Sequence, residues 1–211
     1  QTCALPIYAD GADGDDFRTV GGDYYKPTDA DYEANCDEAR QLLADAGYPN
    51  GEGFPVVEYL YNTSDAHKAV AEALQFMWEE ELGVKVTLNN QEWAAFLQTR
   101  KDGDYSIARN GWIADYNDPI SFLDMWMTGG GNNDAQYAND DYDALIKQAK
   151  TTTDNAERMD LLHQAEDKLI GEDNVLAPLY FYTQKYMLAD GIEGMYYCPL
   201  GYFFFGYTHQ A

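Results

Sequence analysis

Residues 55–88 read PVVEYLYNTSDAHKAVAEALQFMWEEELGVKVTL, and this stretch decides the fold. Residues 55–62 are rich in Val and Tyr and predict a strand. Ser64 opens a helix whose apolar stripe is Ala66, Val70, Ala73, Leu74, Met77 and Leu82, and Gly83 ends it. Val84, Val86 and Leu88 then alternate with Lys85 and Thr87, the period of a second strand. Asn90 is expected to cap a short helix carrying Trp93, Phe96 and Leu97. Residues 105–112 predict a third strand. Strand, helix, strand, helix, strand is the order of an α/β layer on a largely parallel sheet.

Upstream, Thr28 and Asp31 form a capping-box variant ahead of Ala34, Ala39, Leu42, Leu43 and Ala46 at helical spacing, with Gly47 at the C-terminal cap. Downstream, residues 119–127 predict a short helix with Pro at its first turn. Two further helices start at Asp140 and at Asp154, the second capped with Glu157. Residues 175–182 form a continuous apolar run, expected to be a buried strand. The tail, residues 196–207, carries Tyr202-Phe203-Phe204-Phe205 and is expected to pack on something rather than face water.

The chain has 211 residues, 45% of them hydrophobic, which suffices for a sizeable core. Thirteen Lys and Arg against 37 Asp and Glu give a formal charge of -24. That balance excludes nucleic acid as a partner, because phosphate backbones bind basic patches. It also argues against anionic membrane surfaces. No apolar run is long enough to span a membrane. Eighteen Tyr, 9 Phe and 4 Trp suit a ligand-binding surface as well as a core. Gln1-Thr2-Cys3-Ala4-Leu5-Pro6-Ile7 reads as one frame of a common sequencing adapter, so residues 1–7 are expected to be foreign. Asp10, Asp13, Asp15 and Asp16 lack the spacing of a calcium loop and read as a solvated acidic segment.

Nucleophilic catalysis finds no support: there is no Gly-x-Ser-x-Gly elbow, and neither Cys36 nor Cys198 has a His nearby in sequence. No Gly-Lys-Ser/Thr phosphate loop appears. His67, His163 and His209 lack zinc-ligand spacing, and no metal or cofactor is expected. An acidic chain offers many carboxylate pairs for glycoside cleavage, yet none stands out. Cys36 and Cys198 are expected to be reduced thiols.

Charge and aromatic rings do cluster in residues 61–119. His67, Trp93, Arg100, Arg109, Trp112 and Asp115 fall on or beside the ends of predicted elements. Open α/β sheets bind ligands beyond the carboxyl ends of their strands. A carboxylate among guanidinium groups is what a zwitterion needs: Asp accepts from an ammonium, and Arg presents a fork to a carboxylate. The competing reading is a surface salt bridge between Asp115 and an Arg, with both Trp in the core.

Four stretches carry a resemblance. They are Leu60-Tyr61-Asn62-Thr63-Ser64-Asp65-Ala66-His67-Lys68, Asn90-Gln91-Glu92-Trp93, Phe96-Leu97-Gln98-Thr99-Arg100, and Ala108-Arg109-Asn110-Gly111-Trp112-Ile113-Ala114-Asp115-Tyr116-Asn117-Asp118-Pro119. Together they resemble the oligopeptide-binding proteins of bacterial ABC importers, the peptide/nickel class of extracellular solute-binding proteins. Gly47-Tyr48-Pro49 and Pro178-Leu179-Tyr180-Phe181-Tyr182 fit as well.

The resemblance implies a periplasmic-binding-protein-like (type II) α/β lobe, a fragment of a two-lobe protein that closes by a hinge over an extended peptide. Residues 8–183 would form most of the second lobe, and residues 184–211 would return to a first lobe otherwise missing. By resemblance, Asp115 receives the peptide's α-amino group. Arg109, Arg100 and His67 meet its C-terminal carboxylate, according to peptide length. Backbone from Gly111 to Ile113 pairs with the peptide main chain. Trp93 and Trp112 line side-chain pockets, and Tyr182 is a further contact. Ile113 is a departure, standing where Cys is expected in relatives.

The implied function is binding without turnover, by a monomer that delivers peptide to membrane permease subunits. The implied location is the periplasm or a lipid anchor at the outer face of the membrane. Alternatives on the same fold are an oligosaccharide or another small solute as ligand, or a peptide-pheromone receptor.

Overall fold

The computed structural model describes Phe17 and residues 28–211 apart from 184 and 199. The adapter-like segment and the Asp-rich entry segment lie outside the described residues. The expected α/β unit is present. Its strands are β1 (Val57–Asn62), β2 (Val86–Gln91) and β3 (Ile107–Ala108). They form one sheet in the order β2-β1-β3, and both pairings are parallel. Ladder pairs run from Val57↔Val86 to Asn62↔Gln91 on one side of β1, and join Tyr59↔Ile107 and Leu60↔Ala108 on the other.

Helix α1 spans Asp29–Asp45, α2 spans Asp65–Leu82 and α3 spans Trp93–Asp102. Gly47 follows α1 at φ 95°, and Gly83 ends α2 at φ 67°, both conformations that glycine adopts without steric cost. Gly83 is also fixed by space, because a Cβ there would collide with the Asn50 carbonyl. Two expectations fail here. Asn90 does not cap a helix: it is paired with Tyr61 inside β2, and α3 starts after Glu92. The third strand is two residues long, because only Ile107 and Ala108 find ladder partners on β1.

Beyond β3 the chain builds a helical layer from α4 (Ile120–Leu123), a 3-10 turn (Asp124–Trp126), α5 (Asp140–Ala149), α6 (Asn155–Glu166) and a π-helical segment (Asp167–Glu172). The expected cap of α6 is present, Asp154 accepting from the Glu157 amide at 3.0 Å, and Asn139 caps α5 by accepting from the Asp141 and Tyr142 amides. The core has two parts. One gathers Leu123, Trp126, Tyr142, Ile146, Leu162 and Leu169, and the other sets Ala71, Leu74, Val84 and Val86 against Tyr59 and Tyr61. Trp112 packs against the first and Leu179 against the second.

The apolar run at 175–182 forms no strand. Val175 and Leu176 pack on the helical core and Leu179 on the sheet core, while Tyr180 and Tyr182 turn outward. Its apolar character reflects contact with two cores, not pairing inside a sheet. The tail forms two small antiparallel pairs, β4 (Ile192–Glu193) with β7 (His209–Gln210) and β5 (Tyr196–Cys198) with β6 (Tyr202–Phe204). Its rings meet one another at tilted angles, yet Tyr196, Tyr202, Phe204 and Phe205 stay exposed, and Tyr207 is 87% exposed. Cys36 and Cys198 are free thiols, as expected. Among the described residues no helix is long and apolar enough to cross a membrane.

Candidate functional site

The site gathers at the carboxyl ends of β1 and β3, where parallel strands release their side chains and loops. The Arg109 amide donates to the Leu60 carbonyl at 2.8 Å, which extends the β1–β3 pairing by one bond and fixes where the Arg109 side chain starts. Its Nη2 donates to the Tyr182 hydroxyl oxygen at 3.0 Å, and its Nη1 reaches Asn62 Oδ1 at 3.5 Å. The Tyr180 hydroxyl donates to the same Tyr182 oxygen at 3.2 Å, and His67 Nε2 lies 3.4 Å from it. Tyr180 and Tyr182 reach one place because residues two apart on extended backbone share a face.

These contacts set the local electrostatics. Burial and the Arg109 charge hold the His67 imidazole below its ordinary pKa, with the Asn62 backbone opposing weakly. The ring is therefore neutral at pH 7. Burial alone would raise the Tyr182 phenol, but hydrogen bonds from Tyr180 and Arg109, with the Arg109 charge, hold it below the usual value. Tyr180, which donates to Tyr182, is pushed up to about 12 by that bond and by burial. The result is a guanidinium beside a polarised hydroxyl and a neutral imidazole, a set of donors suited to a carboxylate.

After Arg109 the chain runs through Ala114 without regular secondary structure and, among the described residues, unpaired with any strand. The Gly111 amide donates to Asn110 Oδ1 at 2.8 Å. The main-chain groups of Trp112, Ile113 and Ala114 take no hydrogen bond from any described residue. Ile113 is 71% exposed. This is an open edge that an extended ligand can pair with. At its far end the Asp115 amide donates to the Ser121 hydroxyl at 2.9 Å, which anchors the residue while its carboxylate stays exposed and, among the described residues, free of ion pairs. The competing salt-bridge reading of Asp115 thus finds no partner among the described residues. Trp93 is 54% exposed and lies near-parallel to Phe96, centroids 5.8 Å apart. Trp112 is half-buried against the helical core, with Nε1 buried and, among the described residues, without a hydrogen-bond partner.

The structure brings Arg109, His67 and Tyr182 together and sets Gly111, Trp112, Ile113 and Asp115 on the adjoining open segment. Arg100 stands apart from that group. Its Nε and Nη2 both meet Asp134 Oδ2 at 2.7 Å, and its Nη1 donates to Asn110 Oδ1 at 2.8 Å. Sequence reasoning missed Asn62, Asn110, Asp134 and Tyr180. The Tyr-x-Tyr spacing signalled Tyr180; nothing in local sequence signalled Asp134. Among the described residues no group of three or more His, Cys, Asp or Glu is placed to hold a metal ion.

Residues 8–134 match the family described as bacterial extracellular solute-binding proteins, family 5 Middle. The dipeptide-binding protein DppE of Bacillus subtilis is 39% identical over 191 residues, 90% of this chain and 34% of that protein. The periplasmic oligopeptide-binding protein OppA of Salmonella typhimurium is 36% identical over 189 residues, 90% of this chain and 33% of that protein. Among solved structures, the murein tripeptide binding protein MppA of Escherichia coli superimposes with a TM-score of 0.70 at 33% identity, covering 77% of this chain and 31% of that one. An oligopeptide ABC transporter substrate-binding domain from Bacillus anthracis gives 0.74 at 26% identity, covering 100% of this chain and 40% of that one. The chain thus spans about a third of the length of the curated relatives it matches. It shares the fold of those structures, and it belongs to the bacterial extracellular solute-binding proteins, family 5.

Proposed function

We propose that this chain is part of the extracytoplasmic substrate-binding component of an ABC importer, and that it captures oligopeptides in a cleft between two lobes. The observation that carries the reading is the open, unpaired segment from Gly111 to Ala114, flanked by the Arg109–Tyr182–His67 cluster on one side and the exposed Asp115 carboxylate on the other. Main-chain pairing binds any peptide irrespective of side chains, and charged groups of opposite sign select for its two termini. Relatives named for dipeptides, oligopeptides and murein peptides support peptide as the ligand class.

In this reading Asp115 receives the α-amino group, and Arg109 with His67 and Tyr182 receives the C-terminal carboxylate. Trp93 and Trp112 border side-chain pockets. Residues 8–183 supply most of one lobe and residues 184–211 return to the other. The exposed aromatic tail supports that division, since so much apolar surface is stable only when covered. The partners are the permease subunits that take up released peptide, and the protein acts as a monomer in the periplasm or on a lipid anchor.

The test is calorimetric titration of the complete two-lobe protein with mixed tri- to pentapeptides and with the same pool N-acetylated. Binding of the free-amine pool alone is the expected result. Equal binding of both pools removes the amine role from Asp115, and binding of neither overturns the peptide reading.

A further inference from the structure

The Arg100 side chain is 13% exposed and Asp134 opposite it 10%, so this ion pair lies inside the fold. A guanidinium has five N–H donors and two forked faces. The Nε–Nη2 face is filled by Asp134 Oδ2. Nη1 is engaged by Asn110 Oδ1 at 2.8 Å and comes within 3.5 Å of the Arg109 carbonyl. The carbon at the centre of the group stands 5.2 Å from the centroid of the buried Phe96 ring. The side fork is occupied and the third nitrogen already has an acceptor, so the group is engaged before any ligand arrives. The other end of the contact is more informative. Asn110 Oδ1 accepts two hydrogen bonds at once, from Arg100 and from the Gly111 amide, each 2.8 Å. Asp134 is held in turn by a hydrogen bond from the Tyr105 hydroxyl to its carbonyl at 2.9 Å. A buried charge, fixed on one side by its counter-ion, therefore orients the amide that satisfies Gly111 just before the open segment begins.

We propose that Arg100 is a positioning residue: through Asn110 it sets the main-chain geometry of residues 111–114, and it does not contact the ligand's carboxylate. This rests on the peptide-binding reading and refines it. Carboxylate recognition falls to Arg109, while Arg100 governs how well the edge pairs with any peptide, whatever stands at its C-terminus.

The test uses the complete two-lobe protein as wild type, Arg100→Gln, Asn110→Ala and the double variant. Each is titrated with trialanine and with trialanine amide. Positioning predicts that either single change weakens both ligands by the same factor, about tenfold, and that the double variant binds no worse than the weaker single, because groups acting in one chain of contacts are not additive. Direct contact predicts a loss confined to the free acid and additive with Asn110→Ala, and that result overturns the proposal. A second readout needs no ligand. The Gly111 amide, bonded to Asn110 Oδ1, is expected to be protected from hydrogen exchange in wild type and must lose protection in both single variants. Retained protection in Arg100→Gln overturns the proposal even if the wild type binds neither peptide, an outcome that would separately overturn the peptide reading. If Arg100→Gln leaves Asp134 too poorly compensated to fold, Arg100→Gln with Asp134→Asn removes the stranded charge and is measured in its place.

Discussion

The Tyr182 hydroxyl stands between Arg109 and Tyr180 and accepts a hydrogen bond from each, at 3.0 Å and 3.2 Å. This joins a side chain from the end of the sheet to one that arrives 73 residues later, and it gives the guanidinium a fixed direction. A flexible arginine pays side-chain entropy each time it captures an anion; one already held pays less.

Replacing Tyr182 by Phe should therefore weaken peptide binding through Arg109 without harming the fold. Tyr182 is 62% exposed, so little packing is lost. Solvent screening reduces a hydrogen bond to a charged group at so exposed a site to about 1 kcal/mol, which corresponds to roughly a fivefold loss of affinity. Titration of the complete protein with trialanine measures it. Affinity equal to wild type would mean that Tyr182 does not hold Arg109 in the bound state.

His67 gives the site a pH dependence of definite sign. Its ordinary value is 6.5, and in the folded protein burial and Arg109 lower it. Between the lowered value and 6.5 the unfolded chain holds more protons than the folded one, so stability rises with pH across that window. The contribution is complete above 6.5 and is lost as pH falls toward the lowered value. The His67 Cε1 proton resonance should accordingly titrate below 6.5. Arg109→Gln should move that titration upward without restoring the ordinary value, since burial is the larger cause. A midpoint at or above 6.5 in the native protein would contradict this geometry.

Much of this arrangement is legible in the sequence, for identifiable reasons. β1, α2 and β2 were readable because strand and helix periods are local, and Gly83 marks the helix end chemically. The candidate residues of the site drew notice because cationic side chains are few in this chain, and their roles came from the family resemblance. Three things were not legible. The length of β3 depends on how far β1 offers ladder partners, which no local pattern encodes. The apolar run at 175–182 owes its composition to two separate cores, and a buried strand would have the same composition. Arg100 reads as a free cation until Asp134, 34 residues away, is seen to occupy it. Spacing locates charges; only the fold shows which of them are already neutralised.

Gly111 offers the sharpest separation between folding and binding. Its backbone does not lie in the left-handed region, so alanine is conformationally acceptable there. An added Cβ would instead stand 2.8 Å from Arg109 Nη2, and nothing but that guanidinium blocks it. The neighbour is the far end of a flexible side chain, so Gly111→Ala should cost under about 1 kcal/mol of stability, as surface changes generally do. The guanidinium must move to make room, however, and its bond to Tyr182 must lengthen or break. Affinity for trialanine should then fall several-fold while affinity for trialanine amide changes little, because only the free acid uses the guanidinium. Thermal unfolding and paired titrations of the complete protein measure the two effects. Equal losses for both ligands would show that the methyl group obstructs the pairing edge rather than Arg109, and would place the peptide main chain directly over Gly111.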